Sequence, residues 1–238
     1  MAVAAPAFTG FRREAIQFLA DLAANNDRAW FQPRKAEYER LLKEPLAAMI
    51  AVLAERLAAR GIPLRADPEK SPFRIYRDVR FSKDKSPYKT HLGASFPWVG
   101  DGEATGRAHA SNVHSSGGYF HLSPGEIFVG GGIWRPEKSW LDAFRREVAD
   151  DSGTFRALVD EPRFSETFGA LGGDALRRVP AGYAADHPAA DLLRLKDVTF
   201  GRRLSDREAH SPRLPDLLAD SFEAALPVMR YLAAISPA

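Results

Sequence analysis

Basic and aromatic side chains are concentrated in one short stretch of this chain, "RIYRDVRFSKDKSPYKTH", residues 74–91, which we call the basic segment. It holds six Arg or Lys residues and only two Asp, a net charge of +4 in a chain whose formal total is +2. The remainder is therefore net negative. Guanidinium groups bind carboxylate and phosphate in a bidentate manner, and lysine adds a point charge. Positive charge this localised predicts one focused anion site and argues against a broad surface that coats nucleic acid.

The candidate ligand-binding residues come from the basic segment and from three further stretches. Strand-like alternation would place Arg74, Tyr76 and Arg80 on one face, and a turn at "SKDKSP" would fold the following lysines back beside them. The pattern GxxxxGK[ST] is absent, so side chains would have to hold any phosphate. The full set of candidates is Trp30, Lys35, Arg74, Tyr76, Arg80, Lys85, Tyr88, Lys89, Tyr119 and His187.

Two histidines, His91 and His121, are candidates for proton transfer. Imidazole titrates near neutral pH, and neighbouring cations lower its pKa. The alternative for each is a histidine that only makes hydrogen bonds within a sheet. The sequence contains neither HxH nor HExxH spacing and no cysteine, so it predicts no metal site, and nothing in it predicts a cofactor.

Arg77 falls on the apolar face of the strand predicted for residues 73–81, with Phe73, Ile75, Val79 and Phe81. A desolvated guanidinium is costly unless a carboxylate and carbonyl groups receive its donors. We therefore predict that Arg77 is largely buried and paired with an acid.

The elements that position these residues indicate an α+β fold with N-terminal helices, a central, mostly antiparallel twisted sheet and a C-terminal helical layer. Helical spacing covers residues 11–61, including a helix over 33–42 with Lys35 and Tyr38 exposed and a new helix beginning at Pro45. Period-two alternation predicts about five strands over 72–134, with a type II turn at Pro124-Gly125. Helices and one further strand follow over 136–238.

Length and composition set the organisation of the chain. Its 238 residues contain no evident linker, which favours one domain, 1–238. The Gly- and Ser-rich stretch 100–118 predicts a long mobile loop. Neither a signal peptide nor a membrane span is indicated, and the absence of cysteine fits a cytoplasmic protein.

Four stretches resemble, in order and over nearly the full length, a bacterial and fungal family catalogued as domain of unknown function 2461. They are "LAANNDRAWFQPRKAEYE", the basic segment, "GGYFHLSPGEIFVGGGIWRP" and "LRRVPAGYAADHP". The family has no established activity. The resemblance therefore implies which positions are important and does not indicate a reaction. Polar and aromatic positions from four stretches predict a pocket on the sheet, roofed by Trp30, Lys35 and Asp186-His187.

The function predicted from these observations is binding of a small anionic ligand that bears phosphate or carboxylate. Whether His91 or His121 adds acid–base catalysis is left open, as is the oligomeric state. One alternative is a nucleic-acid or protein interaction module in which Tyr76, Phe81 and Tyr88 form stacking surfaces. Another is a structural network of ion pairs without any ligand.

Overall fold

The computed structural model describes residues 7–100 and 116–236, and its helices and strands confirm the predicted α+β class. The N-terminal helices are α1 (Arg13–Ala24), α2 (Arg28–Phe31), α3 (Lys35–Tyr38) and α4 (Glu44–Ala59). A 3-10 turn, Gln32–Arg34, precedes α3, and a π-helical turn, Glu39–Lys43, follows it. Most of the stretch predicted to be a mobile loop, residues 101–115, lies outside the described residues.

The central sheet has four antiparallel strands in the order β1 (Leu92–Pro97), β2 (Gly117–Ser123), β3 (Glu126–Ile133) and β4 (Val198–Arg203). Two residues, Pro124 and Gly125, connect β2 to β3. Gly125 has a φ of 78°, as the third position of a type II turn requires, so the predicted hairpin is confirmed. This turn fixes the register of the hairpin by pairing Ser123 with Glu126.

The C-terminal half is helical apart from β4. Its helices are α5 (Lys138–Asp150), α6 (Ser152–Val159), α7 (Pro162–Phe168), α8 (Ala190–Leu193), α9 (Asp206–Ala209) and α10 (Leu214–Ala234). Pro227 lies within α10. Helices pack on one face of the sheet, where the ring of Phe222 from α10 lies 5.5 Å from that of Phe96 and Phe164 from α7 lies 5.2 Å from Phe200. This inner face forms much of the hydrophobic core.

The opposite, outer face of the sheet carries a different set of residues. Strand register aligns Gly93 with His121, and His121 with Phe128, across three neighbouring strands. Because side chains alternate between faces, Tyr119 and Ser123 share this face with His121. The outer face therefore combines ionisable and aromatic side chains, whereas the inner face is apolar.

The N-terminal helices differ from the prediction around Tyr38. This residue is only 8% exposed, because its ring packs 5.5 Å from that of Phe31, so the prediction of an exposed tyrosine was wrong. The helix predicted to begin at Pro45 is α4, which begins one residue earlier, at Glu44, and the π-helical turn leads directly into it. Proline lacks the N–H that would bond to the carbonyl of Leu41, and a local widening of the helix accommodates that missing bond.

The strand predicted for residues 73–81 is not formed as a regular strand. An isolated bridge from Pro72 to Ala94 joins the start of this segment to the edge of β1. A second isolated bridge, from Tyr76 to Tyr88, lies within the basic segment. Phe81, predicted to face the core, is 95% exposed. The alternation of apolar and polar residues continues in the sequence beyond the part of the backbone that pairs with a neighbouring strand. The tip of the basic segment consequently projects from the sheet as an irregular hairpin.

Candidate functional site

Two of the six cations in the basic segment are bound by its own two carboxylates. Arg80 makes a bidentate pair with Asp78, with contacts of 3.0 Å from Nε and 2.7 Å from a terminal nitrogen. This pairing lowers the pKa of Asp78 to about 2. An incoming anion would have to displace Asp78 before it could bind Arg80. Arg80 is therefore a weaker candidate ligand than the sequence predicted.

Arg77 has the acidic partner that was predicted for it, but its burial was overestimated. Its guanidinium pairs with Asp84 and donates to the carbonyl of Ser86 at 3.2 Å. The side chain remains 28% exposed. Hydrogen bonds from Ser86, followed by the contact with Arg77, hold the pKa of the Asp84 carboxyl well below its usual range. The pair closes the irregular hairpin at its base.

The other four cations, Arg74, Lys83, Lys85 and Lys89, form no ion pair with a carboxylate among the described residues. Lys85 donates to the carbonyl of Val79 at 2.9 Å, close to the hairpin tip. Lys89 is half-buried and donates to the carbonyls of Arg74 at 2.6 Å and Tyr76 at 3.2 Å. Burial and, to a smaller extent, the charge of Arg74 lower the pKa of Lys89. Among the described residues, Lys89 is thus a partly desolvated cation without an acidic partner.

The side chain of Lys89 lies beside a group of rings on the outer face of the sheet. Its ammonium is 6.0 Å from the ring centroid of Phe73, and that ring is 5.8 Å from Tyr119. The rings of His91, His121 and Phe128 form a continuous stack, with centroid distances of 4.7 Å and 4.9 Å. We call Phe73, Lys89, His91, Tyr119, His121 and Phe128 the outer-face cluster.

Hydrogen bonds orient the two β2 members of the outer-face cluster. The Tyr119 hydroxyl is 3.0 Å from His121 Nδ1, and His121 Nε2 is 3.1 Å from Ser123 Oγ. Burial raises the pKa of Tyr119 to about 12 and lowers the pKa of His121. Burial, with smaller contributions from His121 and Lys89, lowers the pKa of His91 to about 4. At neutral pH the two histidines and Tyr119 are therefore uncharged, and Lys89 supplies the positive charge.

Several members of this site were missed in the sequence. Gly93 is one: a Cβ there would lie 2.9 Å from the Tyr119 hydroxyl and 3.2 Å from Phe73 Cδ2. Its missing side chain leaves the space that those groups occupy. Phe128 and Ser123 are others, and a signal for Phe128 was present, because the Pro124-Gly125 turn pairs residue 121 with residue 128. Nothing local in the sequence indicated the stack of His91 on His121.

A second group of predicted residues surrounds Tyr88. Its ring stacks on Phe31 at 4.1 Å and contacts the half-exposed Tyr76 at 5.5 Å. The Asn26 side chain both donates to the carbonyl of Tyr88 and accepts from its N–H, each at 3.0 Å, which ties the N-terminal helices to the basic segment. The buried Tyr88 hydroxyl has no hydrogen-bond partner among the described residues. Tyr88 thus joins the basic segment to the N-terminal helices.

The predicted roof of the pocket is not assembled from contacts to the basic segment. Lys35 pairs with Glu39 at 3.8 Å, and Trp30 packs on Phe18 with a ring distance of 5.5 Å. His187 accepts a hydrogen bond from the Ala189 N–H at 3.0 Å, and its ring lies 6.4 Å from that of Tyr183. Of the predicted residues, the structure brings together Lys89, His91, Tyr119 and His121.

Two further observations concern other kinds of site. A cleft of about 420 Å³ lies among α6, α7 and α8, where Arg156 pairs with Asp191 at 2.6 Å, and none of the predicted residues lines it. Within residues 7–100 and 116–236, no three His, Asp or Glu side chains are grouped so that they could hold a metal ion. No helix in the described part of the chain is long and apolar enough to span a membrane.

The chain was also compared with known proteins. Neither the curated proteins nor the solved structures include a match. The family model described as "Conserved hypothetical protein (DUF2461)" matches residues 14–231, which is most of the chain and includes every residue of the outer-face cluster. The chain therefore belongs to the DUF2461 family.

Proposed function

We propose that this protein binds a small anionic ligand, bearing phosphate or carboxylate, at the outer-face cluster. The observation that carries this proposal is Lys89, a half-buried ammonium whose polar contacts are two backbone carbonyls. Removing a charge from water is unfavourable unless an opposite charge compensates it. A bound anion would supply that compensation, which no described carboxylate does.

The surroundings of Lys89 favour an anion over a neutral ligand. Arg74 contributes a second positive charge near Lys89, and its guanidinium forms no ion pair with a described residue. The imidazole of His91 and the rings of Phe73 and Phe128 form a partly apolar wall. Electrostatic attraction is stronger next to such a wall than in bulk water. The site thus offers focused positive charge with aromatic surface beside it.

The test is a binding experiment with matched charge variants. Orthophosphate, sulfate, acetate and succinate are titrated into the protein by calorimetry, and thermal stabilisation is recorded in parallel. We expect at least one of these anions to bind, and Lys89→Gln and Arg74→Gln each to weaken binding about tenfold or more, as loss of a charge-assisted contact would. Lys83→Gln is the control, because it removes the same charge from the exposed hairpin tip.

Two outcomes would count against the proposal. If none of the four anions binds to or stabilises the wild-type protein, the outer-face cluster is not an anion site. If Lys83→Gln weakens binding as much as Lys89→Gln, the anion responds to the net charge of the protein and does not bind at a local site. Lys89→Gln could weaken binding by disturbing the fold, because the Lys89 ammonium donates to two backbone carbonyls. Arg74→Gln covers that case, because the Arg74 guanidinium makes no hydrogen bond to a described residue.

One observation favours a second function, contact with single-stranded nucleic acid. Phe81 is 95% exposed at the hairpin tip, with the guanidinium of Arg80 5.9 Å from its ring centroid. Exposed aromatic rings beside cations are the surfaces on which bases stack. We rank nucleic-acid contact second because the exposed tip and the outer-face cluster use different residues, and the partly desolvated charge lies in the cluster.

For either function, the absence of cysteine from the sequence supports a cytoplasmic protein.

A further inference from the structure

The hydrogen bonds on β2 determine which nitrogen of His121 carries the proton. Ser123 Oγ donates its single proton to the carbonyl of Glu126 at 3.1 Å. In its contact with His121, Ser123 must therefore accept, so His121 Nε2 is the donor. Nδ1 is then unprotonated and accepts from the Tyr119 hydroxyl. One neutral tautomer of His121 satisfies the whole chain of contacts.

A second proton on His121 would disturb that chain. It would have to go on Nδ1, where Tyr119 already donates, so the hydroxyl would have to turn away. His91 differs in this respect, because neither of its ring nitrogens makes a hydrogen bond to a described residue. Its ring stacks on that of His121, at a centroid distance of 4.7 Å. Of the two stacked histidines, His91 is the one that can gain a proton without breaking an existing hydrogen bond.

Burial is the main reason that His91 resists protonation, and the charged groups around it modify that effect. His121 on β2 and, to a smaller extent, Lys89 two residues earlier on the same segment oppose a positive charge on His91. Tyr119 on β2 is neutral, and the exposed Glu126 at the start of β3 is the acidic group that favours protonation. Without a ligand the unfavourable contributions are larger, so His91 is neutral at pH 7. A doubly charged anion beside Lys89 would reverse this balance.

We infer that the outer-face cluster binds a dianion together with one proton, which His91 takes up, so that His91 joins Lys89 and the nearby Arg74 in balancing the negative charge of the ligand. This inference rests on the proposed anion site and adds the class of ligand, a phosphate monoester, a sulfate or a dicarboxylate in preference to a monocarboxylate. It also assigns different roles to the two histidines. His91 contacts the ligand, whereas His121 positions His91 through the stack.

Sulfate is a suitable probe because it remains a dianion throughout the neutral pH range, so any proton taken up on binding must go to the protein. Calorimetry in two buffers with different heats of ionisation measures this uptake. We expect the protein to take up between about half a proton and one proton for each sulfate bound at pH 6.5. The affinity for sulfate should rise up to about tenfold for each pH unit lowered from 6.5 to 5.5. Acetate, a monoanion, should bind more weakly.

The variants separate His91 from the remainder of the site. His91→Gln should abolish the proton uptake and flatten the dependence of affinity on pH, whereas Lys83→Gln should leave both unchanged. A direct measurement on the wild-type protein covers the case in which His91→Gln fails to fold. The imidazole resonances of His91, followed by NMR against pH, should show a titration midpoint more than about two pH units higher with saturating sulfate than without it.

The outcomes distinguish this inference from the proposal on which it rests. If sulfate binds without proton uptake, or if uptake persists in His91→Gln, the role of His91 is wrong and the anion site remains. If sulfate raises the titration midpoint of His121 and not that of His91, the assignment of roles to the two histidines is wrong. If neither sulfate nor the other anions bind, both the anion site and the inference are overturned.

Discussion

At the scale of single residues, the outer-face cluster depends on the protonation state of buried groups. Folding lowers the pKa of His91 from 6.5 to about 4, chiefly by burial. The unfolded chain therefore binds this proton more readily than the folded protein. The stabilising effect of a neutral His91 is complete above pH 6.5 and is lost as the pH falls towards 4. The folded protein should thus become less stable across this interval.

We expect the free energy of unfolding to fall by about 1–2 kcal/mol between pH 6.5 and 4 on account of His91, less than the shift alone implies because the ring is half exposed. His91→Gln should remove that part of the decline. Urea unfolding of both proteins at pH 7, 5.5 and 4 measures the difference. His121, whose pKa is also lowered, will leave some pH dependence in the variant. Equal pH dependence in the two proteins would contradict the assignment.

Gly93 offers a second test at this scale. In Gly93→Ala the new methyl group would meet the Tyr119 hydroxyl at 2.9 Å and Phe73 at 3.2 Å, so these side chains must move. Such overpacking should lower the free energy of unfolding by about 1–3 kcal/mol and weaken anion binding. The matched control is Gly201→Ala on the same face, whose nearest contact is 3.4 Å, an ordinary van der Waals distance. Denaturant unfolding of both variants measures the contrast, and equal effects would contradict it.

At the scale of elements, the irregular hairpin of the basic segment is held by pairs of unequal burial. Arg77 and Asp84 close its base, where Arg77 is partly buried, whereas Arg80 and Asp78 lie near its exposed tip. A side chain that is 28% exposed is screened by water, so the cost of removing it is smaller than for a fully buried pair. The hairpin base should therefore contribute to stability more than its tip.

We expect Arg77→Met to destabilise the fold by about 1–2 kcal/mol, because it leaves the Ser86 carbonyl without its donor and Asp84 with only its hydrogen bonds from Ser86. A fully buried arginine, as the sequence suggested, would have cost about 3–5 kcal/mol. Arg80→Met is the control and should leave stability unchanged, because its pair with Asp78 is exposed to solvent. The midpoints of chemical denaturation compare the two. An unchanged midpoint for Arg77→Met would show that the base of the hairpin does not depend on this pair.

The elements also show how far sequence reasoning extends. The β2–β3 hairpin and α10 were predictable, because a Pro-Gly turn and a sustained helical period are local signals. The basic segment was misassigned because alternation specifies a strand only where a neighbour supplies backbone hydrogen bonds. The last such bond described on this side of the hairpin is from the Arg77 N–H to the carbonyl of Pro87. The meeting of Lys89, His91 and His121 depends on how β1 pairs with β2. No local sequence pattern encodes that pairing, although each of the three residues was a candidate site residue.

At the scale of the whole molecule, charge limits what the exposed hairpin tip can bind. The chain has a formal charge of +2, and four cations of the basic segment form no ion pair with a carboxylate in the described part of the chain. Nucleic-acid binding releases counter-ions in proportion to the phosphates neutralised. A surface with so few available cations can contact only a few phosphates at a time.

If a single-stranded oligonucleotide binds at all, the slope of log K against log salt should be no steeper than about −3, which corresponds to four phosphates. Phe81→Ala should weaken this binding and leave anion binding at the outer-face cluster unchanged, since Phe81 lies at the hairpin tip. Fluorescence anisotropy over a range of salt concentrations gives the slope. Tight binding with a steeper slope, and no stabilisation by small anions, would favour nucleic-acid contact as the principal function.

The stack of three rings across the sheet has a spectroscopic consequence. His121 lies between His91 and Phe128, so its ring protons are in the shielding zones of two aromatic neighbours. Their resonances should therefore appear upfield of those of an ordinary histidine. Any ligand that tilts or shifts the His91 ring would change that shielding without touching His121. The protein thus contains an intrinsic magnetic reporter of its own site, which requires neither a label nor knowledge of the ligand.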